Sequence, residues 1–174
     1  GIMPDPLPGE TFHVLHAENL SGLHTVVERL LSVSPDNAEY VTDIRRRRVI
    51  GFIIEFDSTV VHYGYVFLRN KTACILGLDS KTALIGNAFT VPAYRGKSAQ
   101  PRSVKARASL ARAGGYERIL AETSLDNLAS QRGMTKGGMQ LLGRMDLLLA
   151  ISILVFRWRR PAGFPIFGFC LRAN

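Results

Sequence analysis

The spacing of hydrophobic residues divides the chain into an N-terminal helical part and a strand-rich part that begins near residue 49. Residues 19–31 predict a helix with five apolar side chains on one face, namely Leu23, Val26, Val27, Leu30 and Leu31. A second helix is predicted to start at Ser34 and Pro35, a capping serine followed by a proline, and to end in the arginines at 45–48. A short apolar run at 12–16 predicts a strand before both helices.

Strand patterns follow one another along residues 49–91. The runs 49–56 and 60–68 flank a turn at 57–59 and predict a hairpin. Residues 73–78 predict a further short strand, and 83–91 predict another that runs into a proline. Because these strands are joined by tight turns, we expect them to be antiparallel.

The second half of the chain alternates between helices and strands. Helices that end at glycine pairs are predicted over 98–113 and from Asp126 or Asn127 to 136. The predicted strands are 116–122, 139–145, 147–157 and 164–172. The strand–helix–strand order over 83–122 indicates a right-handed crossover between parallel neighbours. We therefore predict an α+β (mixed α/β) fold with a mostly antiparallel sheet and one parallel pair.

The composition fits one globular domain. The chain has 174 residues, of which 47% are hydrophobic and 21% are charged, and this balance is typical of a protein with a single core. Residues 1–10 are rich in proline and predict an arm or a cloning remnant, which leaves 11–174 as the domain. The net charge of +8 permits a nucleic acid, an anionic membrane or a polyanionic small ligand as partner.

Cysteine usage and hydropathy predict a cytoplasmic protein. Cys74 and Cys170 lie in apolar surroundings and fit no metal-binding spacing, so we predict two reduced core thiols. The apolar run 147–156 has about ten residues, fewer than the roughly 20 that a membrane-spanning helix needs. The histidines near the start of the chain have no carboxylate or cysteine partner that completes a metal site. We expect no membrane span and no metal.

The stretch from Phe89 to Gln100 reads F-T-V-P-A-Y-R-G-K-S-A-Q and joins a predicted strand to the long helix. A strand, a glycine turn and a helix start together form an anion-binding arrangement, because the first helical turn has unpaired N–H groups and a partial positive charge. Arg95 and Lys97 add full positive charges. The sequence therefore predicts a phosphate-binding turn.

Three segments within residues 84–144 carry a family resemblance: V-P-A-Y-R-G-K-S-A-Q, G-G-Y-E-R-I-L and D-N-L-A-S-Q-R-G-M-T-K-G-G-M. Together they resemble the GNAT superfamily of acyl-CoA-dependent N-acyltransferases. The resemblance implies a twisted sheet of about seven strands with one splayed parallel pair, flanked by about four helices. It also implies acetyl transfer from acetyl-CoA, as co-substrate, to a primary amine of a small molecule such as an amino sugar or amino acid. It leaves open a homodimer.

The resemblance further implies a coenzyme A site at the turn. The pyrophosphate motif of the family falls on Arg95, Ser98 and Gln100, where serine and glutamine replace its two glycines. The residues that the resemblance assigns to the coenzyme are Phe89, Val91, Arg95, Gly96, Lys97, Ser98, Ala99, Gln100, Asn127 and Ser130. The backbone N–H of Val91 is the expected donor to the thioester carbonyl.

The resemblance also indicates which groups would move protons. Glu122, at the end of a predicted strand beside the gap, is the expected base, and Asn87 is expected to orient the amine or a water molecule. Glu55 and His62 are more distant base candidates. The tyrosine that often serves the family as acid is absent here, because its position holds Met134.

Three other interpretations compete with an acetyltransferase whose partners are an acyl-CoA and a small amine. The missing glycines and tyrosine favour a coenzyme-binding or sensor protein without turnover. The charge of +8 and the arginines at 45–48 favour a nucleic-acid-binding protein. Trp158 with Arg157, Arg159 and Arg160 suggests an edge that contacts a membrane surface. The order of the three family segments favours the acetyltransferase, with no nucleic acid as partner.

Overall fold

A computed structural model describes residues 2–68, 71–151 and 153–170 of the chain. Its larger sheet consists of β1 (Glu10–Leu15), β2 (Val49–Phe56), β3 (Thr59–Phe67), β4 (Thr82–Thr90) and β5 (Arg118–Ala121). The strands lie side by side in this same order. The first four are antiparallel to one another, whereas β4 and β5 run parallel.

The connection between the parallel strands β4 and β5 is a long helix, α4 (Ala99–Ala113). A parallel pair needs such a crossover, because the chain must return to the same end of the sheet. The helix ends at Gly114, and Gly115 takes a positive φ of 87°, as is common after a helix. The prediction of an α+β fold with a mostly antiparallel sheet and one parallel pair is confirmed.

Helices cover both faces of the larger sheet. On one face lie α1 (His24–Val33) and α2 (Asn37–Arg45), which pack with strand positions such as Ile53. The neighbouring position Phe52 points to the opposite face, where it packs with residues of α4. Side chains alternate between the faces of a strand, so the almost fully buried strand β2 supplies both cores.

A β-bulge interrupts the pairing of β3 with β4. Gly64 of β3 lies opposite two residues of β4, Asn87 and Ala88. Asn87 has a positive φ of 46°, a conformation that asparagine adopts more readily than most residues. Bulges locally break the ladder and re-aim side chains. This bulge lies just beyond Ile85, the last residue of β4 that pairs with β5.

The C-terminal strands form a separate sheet, so the expected single sheet is divided into sheets of five and three strands. The smaller sheet consists of β6 (Asp146–Ala150), β7 (Leu154–Arg159) and β8 (Phe167–Phe169). The predicted strand 147–157 is wrong, because its apolar run folds back as a hairpin with Ile151 at a φ of 44°. The predicted strand 139–145 is also wrong, since it contains no regular strand. Continuous apolar runs do not reveal such turns by their periodicity.

A disulfide joins the smaller sheet to a short helix. Residues 73–78, predicted as a strand, lie mostly in α3 (Lys71–Leu76). Within α3, Cys74 is bonded to Cys170 directly after β8, with the two Cα atoms 5.7 Å apart. The prediction of reduced thiols is wrong, because the fold brings together cysteines that are 96 residues apart. The bond removes one ground for the cytoplasmic expectation, since disulfides are rare in that compartment.

Arg157 lies inside this junction and not at an exposed edge. Its side chain is fully buried and donates hydrogen bonds to the carbonyl oxygens of Cys74, Ile75 and Pro165. The suggested membrane edge is therefore wrong for Arg157, although Trp158 is exposed. No helix in the described part of the chain has the length and hydrophobicity needed to span a bilayer.

Candidate active site

A cleft opens where β4 and β5 separate. Their pairing ends at Ile85 and Ala121, and beyond this point α4 and α5 (Leu128–Lys136) help to enclose a cavity of about 260 Å³. The polar and charged residues that line it include Asn87, Gln100, Arg107, Glu122, Asn127 and Ser130. The cleft therefore joins the β4 bulge to the first turns of both helices.

The turn before α4 presents a row of unpaired N–H groups. Gly96 and Ser98 have positive φ angles of 84° and 58°, so serine here adopts the left-handed conformation that usually favours glycine. Within the described ranges, none of the N–H groups of residues 96–100 has a hydrogen-bond acceptor. Such groups at a helix start carry the positive end of the helix dipole. The turn thus has the donors and the field that a phosphate group requires.

The basic side chains of the turn are exposed but oriented by protein contacts. Arg95 Nε donates to the carbonyl oxygen of Thr90 at 3.2 Å. The ammonium group of Lys97 lies 4.5 Å from the ring centroid of Tyr94 and 5.6 Å from that of Phe56, within the range of a cation–π interaction. Both cations therefore add positive potential beside the N–H groups.

Glu10 of β1 ties this turn to the far edge of the sheet. Its fully buried carboxylate accepts hydrogen bonds from the Arg102 guanidinium and, at 2.6 Å, from the Tyr94 hydroxyl. Burial raises the pKa of Glu10, but the hydrogen bonds from Arg102, Tyr94 and a backbone N–H outweigh it and lower the pKa to about 2. Because Arg102 is committed to this carboxylate, it is a support of the turn and not a phosphate ligand.

Arg107 of α4 lies beneath the bulge and is only 1% exposed. Its Nη1 donates to the carbonyl oxygens of Gly86 and Tyr65 at 3.1 and 3.4 Å, and its Nε donates to two oxygens of Ser103. A Cβ atom on Gly64 would lie 2.8 Å from Arg107 Cζ, so glycine is needed there. Burial lowers the pKa of Arg107 to about 9, which leaves the guanidinium charged at neutral pH.

The helix α5 meets the cleft with its N-terminus. Asn127 caps the helix, and its side-chain oxygen accepts the N–H of Ser130 at 3.0 Å. This cap satisfies one of the donors that a helix start leaves free. The cap orients Asn127, and both of these residues line the cleft.

A second pocket of about 230 Å³ lies on the side of β4 that faces β3 and α2. It shares Asn87 and Ala88 with the cleft. Its other walls are Ser34, Asp36, Asn37, Tyr40, Tyr63 and Phe89. The Asn87 amide donates to the hydroxyl of Tyr40, and burial together with the charge of Glu39 raises the pKa of Tyr40. The bulge is thus accessible from two separate pockets.

Solved structures of the same fold exist, although no family model and no curated protein matches the chain. AAC(6')-Iy in complex with the bisubstrate analogue CoA-S-monomethyl-acetylneamine is 18% identical at a TM-score of 0.57, over 78% of this chain and 93% of that chain. Aminoglycoside antibiotic 6'-N-acetyltransferase AAC(6')-Ih from Acinetobacter baumannii is 16% identical, with a TM-score of 0.55. The match covers 78% of this chain and 94% of that chain. The chain has the GNAT fold. The acetyltransferase meta-AAC0020 from a soil metagenome, in complex with sisomicin, matches with 11% identity and a TM-score of 0.56, over 82% and 98%.

Most of the predicted site residues lie in the GNAT cleft or in the turn beside it. Those that line the cleft are Asn87, Gln100, Glu122, Asn127 and Ser130. Those in the turn are Arg95, Gly96, Lys97, Ser98 and Ala99. Gln100 belongs to both, since it is in the first turn of α4 and also lines the cleft. The turn and the cleft therefore form one continuous site.

Phe89 and Val91 lie outside the cleft. Phe89 borders the second pocket, so its side chain faces away from the expected coenzyme site. The N–H of Val91 donates to the carbonyl oxygen of Val61 at 3.0 Å. The expected role of Val91 as donor to a thioester carbonyl is wrong, because the β3–β4 ladder resumes after the bulge and uses that N–H.

The two distant base candidates are also placed elsewhere. Glu55 is buried and hydrogen-bonded to His13 at 2.9 Å. His62 is fully buried with its Nδ1 2.7 Å from the hydroxyl of Thr90, and burial and nearby arginine charges lower its pKa to about 3. Neither side chain lines the cleft, so both predictions as base are wrong.

Arg107 and Tyr40 are among the site residues that were not predicted from the sequence. Arg107 follows Val104 and precedes Ala111 at helical spacing, so the apolar face of the helix could have revealed it as buried. Tyr40 had no such signal, because only the packing of α2 against the sheet brings it to Asn87. The helix pattern around Tyr40 does not show which strand its side chain contacts.

Proposed function

We propose that the protein is an acyl-CoA-dependent N-acetyltransferase that acetylates a primary amine of a small, amine-bearing molecule. The observation that carries this proposal is the row of unpaired N–H groups at residues 96–100, which leads into the cleft through Gln100. An elongated ligand with a phosphate group at one end and a reactive group at the other fits this order. Acetyl-CoA is such a donor substrate.

The second pocket suggests an acceptor that is a cationic, ring-shaped molecule. Asp36 supplies a carboxylate, and Tyr40, Tyr63 and Phe89 supply aromatic faces on which a sugar or other ring can pack. The arginines at 45–48 lie at or beyond the opposite end of α2, so they do not favour an anionic acceptor here. The similar structures include an enzyme in complex with sisomicin. An amino sugar therefore fits better than an amino acid.

The proposed reaction is a direct attack of the neutral amine on the thioester carbonyl carbon. The new C–N bond forms, the C–S bond breaks, and the sulfur leaves with its electron pair as a thiolate. Glu122 takes the amine proton, directly or through a water molecule. Asn87, present in both pockets, orients the amine. The products are an N-acetyl amide and the free thiol of coenzyme A after protonation.

The proposal is tested by measuring acetyl-CoA binding calorimetrically and thiol release with a panel of amino sugars and amino acids. We expect binding, turnover with amino sugars, and a fall in kcat of about 10²-fold or more for Glu122→Gln. The matched control is Glu117→Gln, which removes an exposed carboxylate of the same region that pairs with Lys81. If no acyl-CoA binds, the proposal is wrong.

A coenzyme-binding protein without turnover is the second candidate. Met134 lines the cleft and cannot donate a proton. This candidate predicts calorimetric binding of acetyl-CoA with no thiol release for any amine in the panel. Release with any one amine above the rate of spontaneous hydrolysis rules it out.

A further inference from the structure

The cleft contains one charged group that the proposed reaction has not used. Arg107 lines the cavity from beneath the bulge and is almost completely buried. A buried cation is normally paired, because the loss of hydration is costly. In the described part of the chain, Arg107 has no carboxylate partner.

The hydrogen bonds of Arg107 leave one side of the guanidinium unused. Nε and Nη1 donate to carbonyl and hydroxyl oxygens of Ser103, Tyr65 and Gly86. Nη2 has no hydrogen bond to any of the described residues. Guanidinium groups carry five N–H donors in a rigid fork. The two anchored nitrogens therefore fix the orientation of the third.

The rest of the lining leaves Arg107 as the cationic group of the cavity. Its other charged residue is Glu122, which is exposed and negative. Met134 contributes an uncharged thioether, and Asn127 and Ser130 are neutral. An anion that develops inside the cavity has one full positive charge to interact with, together with the N-terminus of α5.

We propose that Arg107 is a catalytic residue that stabilises the departing thiolate of the coenzyme through its Nη2 group. This inference rests on the proposed function, because the anion arises only when an acyl thioester is cleaved. As the amine nitrogen bonds to the carbonyl carbon, the C–S electron pair moves onto sulfur. The guanidinium keeps its proton and donates a hydrogen bond to the S⁻. Water later protonates the thiolate, so that free coenzyme A leaves.

The structure explains why such a group would be placed there. Preorganised charge acts strongly where it is itself buried, as Arg107 is, since it needs no rearrangement when the negative charge develops. Gly64 leaves the space that lets the guanidinium reach the bulge. A Cβ atom on Gly64 would lie 2.8 Å from Arg107 Cζ. The contacts to Gly86 and Tyr65 hold the guanidinium at the end of the paired part of β4.

The decisive measurement is the pKa of the coenzyme A thiol when bound to the wild-type protein, followed by the ultraviolet absorbance of the thiolate. Free thiols titrate near 8.5, and we expect the bound thiol to titrate about one pKa unit or more lower. An unshifted thiol overturns the proposal even where calorimetry shows tight binding. Absence of binding would instead be a failure of the proposed function.

Variants then assign the shift to Arg107 and not to the N-terminus of α5. Arg107→Gln keeps a donor for Gly86 but removes the charge, so the bound thiol should return toward its free pKa and kcat should fall about tenfold or more. Arg107→Lys should keep part of the shift. The matched control is Arg112→Gln, an exposed cation in the last turn of α4, which should change neither value. A wild-type shift that persists in Arg107→Gln overturns the proposal.

A second variant covers the case in which Arg107→Gln does not fold. Gly64→Ala places a methyl group against the guanidinium and displaces it while retaining the charge on the helix. We expect the pKa of the bound coenzyme A thiol to be higher than in the wild type. We also expect the reaction rate to depend more steeply on the pKa of the leaving thiol, which is measured with a series of acetyl thioesters whose thiols differ in pKa. A uniform loss of rate for all the thioesters indicates a merely structural role and overturns the proposal.

Discussion

The side chain of Gln100 lies directly over Gly133. A Cβ atom on Gly133 would be 2.7 Å from Gln100 Cγ and 3.5 Å from Gln100 Cβ. Gln100 lies in the first turn of α4, where the motif of the resembled family has a glycine, and Gly133 lies in the interior of α5. The two helices approach each other through this pair. The space left by the missing side chain of Gly133 therefore accommodates the large side chain of Gln100.

Gly133→Ala is therefore expected to disturb the cleft even though alanine favours helices. The change gains about 1 kcal/mol of helix propensity, but the overlap with Gln100 costs about 1–3 kcal/mol. We expect a net loss in the free energy of unfolding and weaker binding of acetyl-CoA, because Gln100 must move within the lining. Urea unfolding and calorimetry measure the two effects.

The double variant Gln100→Ala/Gly133→Ala serves as the control for this prediction. Removing the glutamine side chain makes room for the new methyl group, so the double variant should regain most of the affinity lost in Gly133→Ala. If the two changes add independently, with no coupling between them, the packing relationship does not control the cleft.

The same pair shows what could and could not be predicted from the sequence. Local patterns identified the turn at 95–100 and a helix start at Asp126 or Asn127, because glycines, capping residues and charges act within a few positions of the chain. The compatibility of Gln100 with Gly133 depends on two helices that are distant in sequence. Read alone, Gln100 looked only like a departure from the family motif.

Tertiary contacts also account for the errors. Val91 was expected to be free, but the resumed ladder with β3 occupies its N–H. Cys74 and Cys170 were expected to be reduced, and no local pattern showed that α3 and the end of β8 meet. The helical spacing of Arg107 with Val104 and Ala111 indicates that it is buried, but only the packing of α4 on the sheet brings it to Gly86 and Tyr65. In each case the contact is made with a residue on a different helix or strand, which the local sequence pattern does not show.

The Glu10–Arg102 contact predicts a specific acid sensitivity. The pKa of Glu10 is lowered from 4.5 to about 2, so the folded state favours the ionised carboxylate. This stability is fully present above pH 4.5 and is lost as the pH falls toward 2. It amounts to as much as about 3 kcal/mol. Urea unfolding of the wild type between pH 6 and 2 measures the loss.

Glu10→Gln separates this carboxylate from all others that titrate in the same range. The variant should be less stable than the wild type at neutral pH, since the half-buried Arg102 loses its counter-ion. The difference between the two proteins should shrink as the pH falls below 4.5. A difference that stays constant down to pH 2 shows that the pair does not titrate as described.

The disulfide between Cys74 and Cys170 is expected to stabilise the junction of α3 with the smaller sheet. It joins cysteines 96 positions apart in sequence, a separation for which loop-closure entropy corresponds to about 4.7 kcal/mol. Mass spectrometry before and after reduction detects the bond, and Tm should fall on reduction. The variant Cys74→Ser/Cys170→Ser should show the lower Tm without reductant.

Binding of acetyl-CoA is the control for this variant. Neither cysteine lines the cleft, so the affinity for acetyl-CoA should be unchanged. A loss of affinity would show that the disulfide also supports the cleft.

The hydrogen bond from Asn87 to Tyr40 links the bulge to the proposed acceptor pocket. Tyr40→Phe keeps the ring, which stacks on Tyr65 with centroids 4.4 Å apart, and removes only the hydroxyl. Losing this bond costs about 1 kcal/mol, and a less well-held Asn87 orients the amine less well. We expect kcat/KM for the amine to fall about fivefold to tenfold, with acetyl-CoA affinity unchanged, because Tyr40 does not line the cleft proposed for the coenzyme. Tyr63→Phe, which changes another tyrosine of the same pocket, is the matched control. An equal loss of acetyl-CoA affinity in Tyr40→Phe would show that the two pockets are not separate substrate sites.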